Sequence, residues 1–167
     1  GHPGVLTYAT SLVLDLLSRY DLDGLLLDGM NYPYAASSVG YNVWGYNPTA
    51  VQRYRARYGG SGDPAPDDPL WLGWRREQLT SVLRQLYLRC WEARPALRIA
   101  ALGTAWGDGP DAIGGWENTN AYGELLQDWR AWTEEGIVDL AAPMNYDREY
   151  RADQQSWYDH WLSWEGA

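Results

Sequence analysis

The stretch Gly24-Leu25-Leu26-Leu27-Asp28 decides the fold class of this chain. It is a short apolar run that ends in a carboxylate, and the polar turn Asp21-Leu22-Asp23 comes directly before it. Apolar runs of this length are typical of strands in a parallel sheet, where both faces of the strand are covered. We therefore predict a buried strand here, with Asp28 at its carboxyl end.

Two further strands are predicted downstream, over 97–102 and 137–143. Apolar residues at helical spacing precede and separate the three strands. The predicted helices cover 5–20, 48–59, 69–94, 121–135 and 153–165. Asn47-Pro48 and Asp68-Pro69 each combine an N-cap residue with a proline at the first helical position, which marks a helix start.

The order of these elements is a helix followed by three strand–loop–helix units, which indicates parallel strands with right-handed crossovers. The long loops 29–47, 103–120 and 144–152 all follow strands, as the working loops of a (β/α)8 barrel do. A closed barrel needs at least about 200 residues. We therefore predict an α/β fold in which residues 1–167 form a single domain, part of a larger (β/α)8 TIM barrel.

The amino-acid composition excludes some classes of function and favours others. The formal net charge of -9 argues against a nucleic-acid partner, and no apolar run approaches the length of a membrane span. The chain has 11 Trp and 13 Tyr but no Phe, and such amphipathic rings suit stacking on sugars. With two distant histidines and Cys90 as the single cysteine, we predict no metal site, no cofactor and no internal disulfide. Cys90 itself is expected to be buried.

The segment Tyr20–Asp28, followed by Asn31-Tyr32-Pro33, resembles the glycosyl-hydrolase-like GHL10 family, a group of bacterial barrel proteins classed with glycosidases. Further stretches resemble family motifs in the same order along the chain: His2-Pro3, Tyr46-Asn47-Pro48, Trp74-Arg75-Arg76-Glu77-Gln78, Gln127-Asp128-Trp129-Arg130 and Asp139-Leu140-Ala141-Ala142-Pro143-Met144-Asn145-Tyr146. The resemblance implies that the three strands are strands four to six of the barrel. It also implies carboxylate chemistry at the carboxyl ends of the strands.

Asp28 and Asp147 are the predicted catalytic residues, because glycoside hydrolysis commonly uses two carboxyl groups that face one cleft. Asp28 ends an apolar strand, although a carboxylate there could also cap a loop or pair with an arginine. Asp147 is the loop acid nearest to the third strand. The other loop acids that could supply the second carboxyl group are Asp108, Asp111, Glu117 and Glu149.

Substrate binding is assigned to side chains just past the strand ends, where Asn amides could bond sugar hydroxyls and aromatic rings could stack. The candidates are His2, Asn31, Tyr32, Trp106, Asn145 and Tyr146, and Trp44 is a further ring expected near Asp28. His2 could line the same mouth or cap the first helix, and Tyr32 could instead pack against Pro33. The triplet Met-Asn-Tyr occurs twice, at 30–32 and 144–146.

The predicted function is a glycoside hydrolase that acts on a bacterial envelope or extracellular glycan, in a full-length protein that is secreted or bound to the cell envelope. The expected partner is an oligosaccharide or polysaccharide, and the oligomeric state stays open. The alternative is a carbohydrate-binding barrel that has lost part of its catalytic site. Gly29 supports that alternative, because many family members carry an acid or a tyrosine there. A lyase or isomerase barrel is disfavoured by the lack of a phosphate-type loop.

Overall fold

The computed structural model describes residues 2–34 and 44–166. Helices and strands alternate along this part of the chain, as the sequence predicts. Their bounds are α1 Pro3–Arg19, β1 Gly24–Leu27, α2 Pro48–Tyr58, α3 Pro69–Ala93, β2 Arg98–Thr104, α4 Asn120–Gly123, α5 Trp129–Glu135, β3 Leu140–Met144 and α6 Trp157–Glu165. Short 3-10 turns at Pro110–Ile113 and Trp116–Asn118 interrupt the loop after β2.

The strands form a parallel three-stranded sheet in the order β1-β2-β3. Leu27 is in register with Ala101, which is in register with Ala141. The carboxyl ends of all three strands therefore lie at one edge of the sheet, with Asp28, Gly103 and Asn145 close to it. This confirms the predicted parallel arrangement, which is compatible with part of a (β/α) barrel.

The two faces of the sheet differ in cover. Leu25 and Leu27 pack into the buried clusters on the helix side. Gly103 lies against the Trp129 ring, so closely that a Cβ atom on residue 103 would come within 3.0 Å of the ring. Leu26 and Leu140 point to the other face and are exposed. Side chains alternate along a strand, so Asp28 shares the open face with Leu26. The expectation of a strand covered on both faces is met on the helix side only, within the part of the chain described.

The main core lies between the sheet and the helices. Its centre is formed by Leu83, Trp132 and Trp161, which are fully buried. Cys90 is buried in a second cluster together with Leu17, and this confirms its predicted place. None of the helices among residues 2–34 and 44–166 is long and apolar enough to cross a bilayer.

Helix starts follow the predicted caps. The side chain of Asn47 accepts a hydrogen bond from the Ala50 backbone N–H at 3.0 Å and starts α2. The side chain of Asp68 accepts one from the Leu70 N–H at 2.8 Å and starts α3. In both helices the proline after the cap has the fixed φ angle that suits the first turn.

The predicted single helix over 121–135 is wrong. It is divided into α4 and α5 because Leu126 adopts a φ of 54°, a left-handed conformation that a helix does not accommodate. The starts of two other elements differ from the prediction by three residues or more. β3 begins at Leu140 rather than at 137, since Ile137 and Val138 are buried in the helix-side core before pairing starts. α6 begins at Trp157, after turns rather than helix from 153.

Candidate functional site

Asp28 lies one residue beyond β1 and is exposed. Its Oδ1 atom accepts a hydrogen bond from the Gly29 N–H at 2.6 Å. Gly29 has a φ of 67° and its carbonyl accepts from the Asn31 N–H at 2.8 Å, so the chain turns sharply just after the carboxylate. No arginine pairs with Asp28 within residues 2–34 and 44–166.

Asn31 and Tyr32 face the helix layer. The Asn31 Nδ2 donates to the Tyr32 carbonyl at 2.8 Å, and the Tyr32 N–H donates to the Leu125 carbonyl at 2.9 Å. The Tyr32 ring lies 5.7 Å from the guanidinium of Arg75, and burial raises the pKa of its hydroxyl. Both residues border a depression of about 280 Å³ against the Gln78 turn of α3. Their side chains therefore support the loop.

Gln127 joins the loop after β1 to the end of β2. Its Oε1 accepts from the Thr104 N–H at 2.8 Å, and its Nε2 donates to the carbonyls of Leu102 at 3.0 Å and Met30 at 3.2 Å. The side chain is 1% exposed, so these bonds form away from water. One buried amide thus fixes two neighbouring strand ends relative to each other.

The loop after β2 presents Trp106 and docks on α6. The exposed Trp106 ring meets Tyr34 edge to face, with ring centroids 5.8 Å apart. The Trp161 Nε1 donates to the Gly107 carbonyl at 2.9 Å, which attaches this loop to the helix that follows β3. The loops after β1 and β2 therefore meet through an aromatic pair.

A carboxylate–imidazole pair lies beside this contact. The His160 Nδ1 lies 2.6 Å from Oδ1 of Asp108, a hydrogen bond in which the ring nitrogen donates to the carboxylate. The Gly109 N–H also donates to that oxygen, at 2.9 Å. A Cβ atom on Gly109 would come within 2.8 Å of His160, so a glycine is needed for the two segments to approach. Sequence reasoning missed His160, because 52 residues separate it from its partner.

The loop after β3 holds a partly buried carboxyl group, that of Asp147. The Oδ2 atom of Asp147 is enclosed and lacks a hydrogen-bond partner among the described residues. Burial, and secondly the negative charge of Asp108, raise the pKa of Asp147. A carboxyl group in these surroundings keeps its proton to a higher pH than an ordinary aspartate does.

The side chains of Asn145 and Tyr146, just before this acid, make few hydrogen bonds to the described part of the chain. Asn145 donates a long 3.3 Å hydrogen bond to the Tyr158 carbonyl, while its Oδ1 is enclosed without a partner in the described part of the chain. Tyr146 is 77% exposed. The exposed Tyr146 ring and the weakly bonded Asn145 amide nitrogen therefore have capacity left for an external ligand.

His2 caps α1: its Nδ1 accepts from the Gly4 N–H at 3.0 Å. Of the two roles considered for His2, the structure contains the cap, and a place in the binding mouth stays a prediction. Trp44, Trp106 and Tyr146 are exposed as expected, while their sharing of one cleft with Asp28 also stays a prediction. No group of three His, Cys, Asp or Glu side chains that could hold a metal ion occurs within 2–34 and 44–166.

Comparison with known proteins adds a family. A family model described as Glycosyl hydrolase-like 10 matches residues 1–165. Glycosyl hydrolase DigH of Escherichia coli (strain K12) is 28% identical over 149 residues, which cover 87% of this chain and 30% of that protein. Glycosyl hydrolase YngK of Bacillus subtilis (strain 168) is 27% identical over 154 residues, which cover 87% of this chain and 27% of that protein. The chain thus spans less than a third of the length of these relatives.

Proposed function

Because the chain belongs to the glycosyl hydrolase-like 10 family, we propose that it is part of the catalytic domain of a glycoside hydrolase. The family match confirms the resemblance inferred from the ordered motifs. In this proposal the three strands are strands four to six of a (β/α)8 barrel whose other strands lie outside this chain. The open face of the sheet, with Leu26 and Leu140 exposed, would then be the barrel interior.

The observation that carries the proposal is the position of the Asp147 carboxyl group, whose Oδ2 atom is enclosed and lacks a hydrogen-bond partner among the described residues. Glycosidases need one carboxyl group that holds a proton for the leaving oxygen and a second that is ionised. Asp147 follows a strand end, and burial together with the Asp108 charge raises its pKa. We assign it the role of general acid.

Asp28 is proposed as the second carboxylate, the nucleophile or the base. It lies at the same edge of the sheet, on the open face, and its Oδ1 accepts a hydrogen bond from the adjacent Gly29 N–H. In this proposal Asp147 protonates the leaving oxygen, while Asp28 attacks the sugar or activates water.

Sugar binding is proposed for the exposed side chains at this edge. Tyr146 and Trp106 present ring faces, and the Asn145 amide nitrogen, whose 3.3 Å bond to the Tyr158 carbonyl is long, could donate to a sugar hydroxyl. The substrate class is a glycan of the bacterial envelope or the extracellular space. A full-length protein that is secreted or attached to the envelope would meet such a substrate.

A carbohydrate-binding barrel without catalysis is the second candidate. Gly29 supports it: the φ of 67° suits glycine, and the residue stands where many family members carry an acid or a tyrosine. The turn beside Asp28 is thus built for a residue without a side chain. In this case the aromatic rings would bind glycan while no bond was cleaved.

The test uses the full-length protein and its Asp147→Asn and Asp28→Asn variants on a panel of soluble glycans. If the two groups do the chemistry, kcat falls by about a thousandfold or more for each, as it does when core catalytic groups are removed from other hydrolases. Glu149→Gln is the matched control, because Glu149 is an exposed acid of the same loop as Asp147. Glycan binding without turnover in the unaltered protein would favour the binding barrel.

A further inference from the structure

Arg75 is completely buried, with 0% exposure, inside a cage of aromatic rings. Its guanidinium carbon lies 5.1 Å from the Trp71 ring centroid, 5.7 Å from that of Tyr32 and 5.9 Å from that of Tyr46. Aromatic faces attract a cation and partly offset its desolvation. Burial is also the main reason that the pKa of Arg75 is lowered. A charge kept at this cost is expected to have a specific purpose.

The contacts of Arg75 show which segments it joins. Its Nη1 donates to the Trp44 carbonyl at 2.7 Å, and its Nη2 makes a longer 3.5 Å contact with the Pro66 carbonyl. Tyr32 precedes the segment 33–43 and Trp44 follows it. A single side chain on α3 therefore holds both ends of the loop that leaves the Asp28 strand.

Gly45 completes this arrangement. It has a φ of 101°, and a Cβ atom there would come within 3.0 Å of the Arg75 Cδ and 3.1 Å of the Tyr32 ring. A left-handed conformation combined with such close packing suits only glycine. The backbone at 44–45 is therefore fixed between the arginine and the tyrosine. The Trp44 side chain, by contrast, is 52% exposed.

We propose that Arg75 is a positioning residue that presents the Trp44 ring as a stacking platform for a sugar ring of the glycan. The proposal rests on the proposed function and adds a binding position to it. An indole ring is a large amphipathic surface with few rotatable bonds, and a fixed backbone further reduces the entropy lost on binding.

The position of the platform predicts which substrates use it. Trp44 is anchored to α3, in the helix layer, through the 2.7 Å bond from Arg75 to its carbonyl, whereas Asp147 lies in the loop that follows the edge strand β3. The platform should therefore bind a sugar other than the one at the cleaved bond. Trp44 is expected to matter for long oligosaccharides and little for disaccharides.

The experiment measures binding of N-acetylchitohexaose and cellohexaose, and of the corresponding disaccharides, to the full-length protein. Trp44→Ala should weaken hexasaccharide binding by about tenfold, the lower range for loss of one stacked ring. Arg75→Lys should weaken it similarly, with no further loss in the double variant. Trp91→Ala is the control, because Trp91 is 58% exposed but lies in the last turn of α3, at the opposite end of the helix.

Gly45→Ala is the second route, should Arg75→Lys fail to fold, because it disturbs the same contact from the loop side. Its control is Gly59→Ala, at a φ of 79° with no atom within 4 Å of an added Cβ. Unchanged hexasaccharide binding by Trp44→Ala would overturn the platform. If Arg75→Lys weakened hexasaccharide binding by the same factor in the Trp44→Ala variant as in the unaltered protein, the positioning role would be overturned. Turnover by Asp147→Asn is read separately, so that an error in the catalytic assignment leaves the Trp44 result interpretable.

Discussion

The triplet Met-Asn-Tyr occurs after β1 at 30–32 and at the carboxyl end of β3 at 144–146, yet the two copies have different surroundings. The Tyr32 ring lies beside Arg75 and so close to Gly45 that a Cβ atom on Gly45 would come within 3.1 Å of it. The Tyr32 backbone N–H donates to the Leu125 carbonyl. Tyr146 is 77% exposed. Three identical residues at equivalent strand ends thus form a support in one loop and a surface in the other.

The neighbouring elements cause the difference. The first copy is covered by α3 and joined to β2 by Gln127, whose side-chain amide donates a hydrogen bond to the Met30 carbonyl. The second copy begins at the last residue of the edge strand β3, and its Asn145 side chain donates to the Tyr158 carbonyl of α6 at 3.3 Å. A short motif therefore fixes a position along the strand, while the packing of the next layer determines the role. The β3 copy is the better candidate for contact with a ligand.

The largest contrast is expected between the two tyrosines. Tyr32→Ala should lower the free energy of unfolding by about 2–4 kcal/mol, because it leaves a cavity beside Arg75. Tyr146→Ala should change it by less than about 0.5 kcal/mol, as exposed substitutions do. Denaturant unfolding of both variants measures the difference. Equal losses would remove the distinction between support and surface, and Tyr32→Phe should keep most of the stability.

The two asparagines should differ less, and in two separate properties. Asn31→Ala removes a 2.8 Å hydrogen bond and should cost about 0.5–1.5 kcal/mol. Asn145→Ala removes only a 3.3 Å bond and an amide oxygen that is enclosed without a partner among the described residues, so its effect on stability should be smaller. Its effect should instead be weaker glycan binding, measured by calorimetry. A loss of stability at Asn145 with normal binding would contradict this assignment.

The pH dependence of activity tests the β3 loop directly. The negative charge of Asp108 contributes to the raised pKa of Asp147. Asp108→Asn removes that charge, so Asp147 should lose its proton at a lower pH, and the alkaline limb of kcat/KM should move to lower pH. Asp111→Asn, an exposed acid in the same loop as Asp108, should leave the limb in place. A shift to higher pH would contradict the acid role.

The smallest effect concerns stability and pH. The raised pKa means that folded Asp147 binds its proton more tightly than the unfolded chain does. The stabilisation of the fold by this proton is therefore fully present below the pKa of Asp147 in the unfolded chain, and it is lost as pH rises through the pKa in the folded protein. Asp147→Asn should accordingly melt no lower than the unaltered protein at pH 7, and any advantage should vanish near pH 3. A lower Tm at pH 7 would indicate that the ionised carboxylate has a structural partner.

The sequence predicted the elements whose causes are local. The caps at Asn47 and Asp68, with the prolines that follow them, mark α2 and α3, and the apolar run before Asp28 marks β1. The parallel order followed from the alternation of these elements. Such features need only neighbours along the chain, so periodicity and capping rules are sufficient to find them.

The features that failed to emerge from the sequence depend on distant contacts. The Asp108–His160 pair joins two loops, and the break at Leu126 exists because the chain leaves the helix to place Gln127 between two strands. Asp128 caps α5 and also accepts a hydrogen bond from the Trp116 Nε1 at 2.8 Å. In each case a polar side chain serves a backbone or ring far away in sequence, which no local pattern encodes.

The amide of Gln127 has a consequence for the motions of the molecule. It offers one acceptor and two donors, as a peptide bond and its neighbour would, and so it extends the ladder between β1 and β2 past the last paired residues. The Thr104 N–H can exchange with solvent only when that bond opens, and opening it frees the Met30 and Leu102 carbonyls as well. Slow, cooperative hydrogen exchange at Thr104 would therefore indicate that the loops after β1 and β2 open together as one unit.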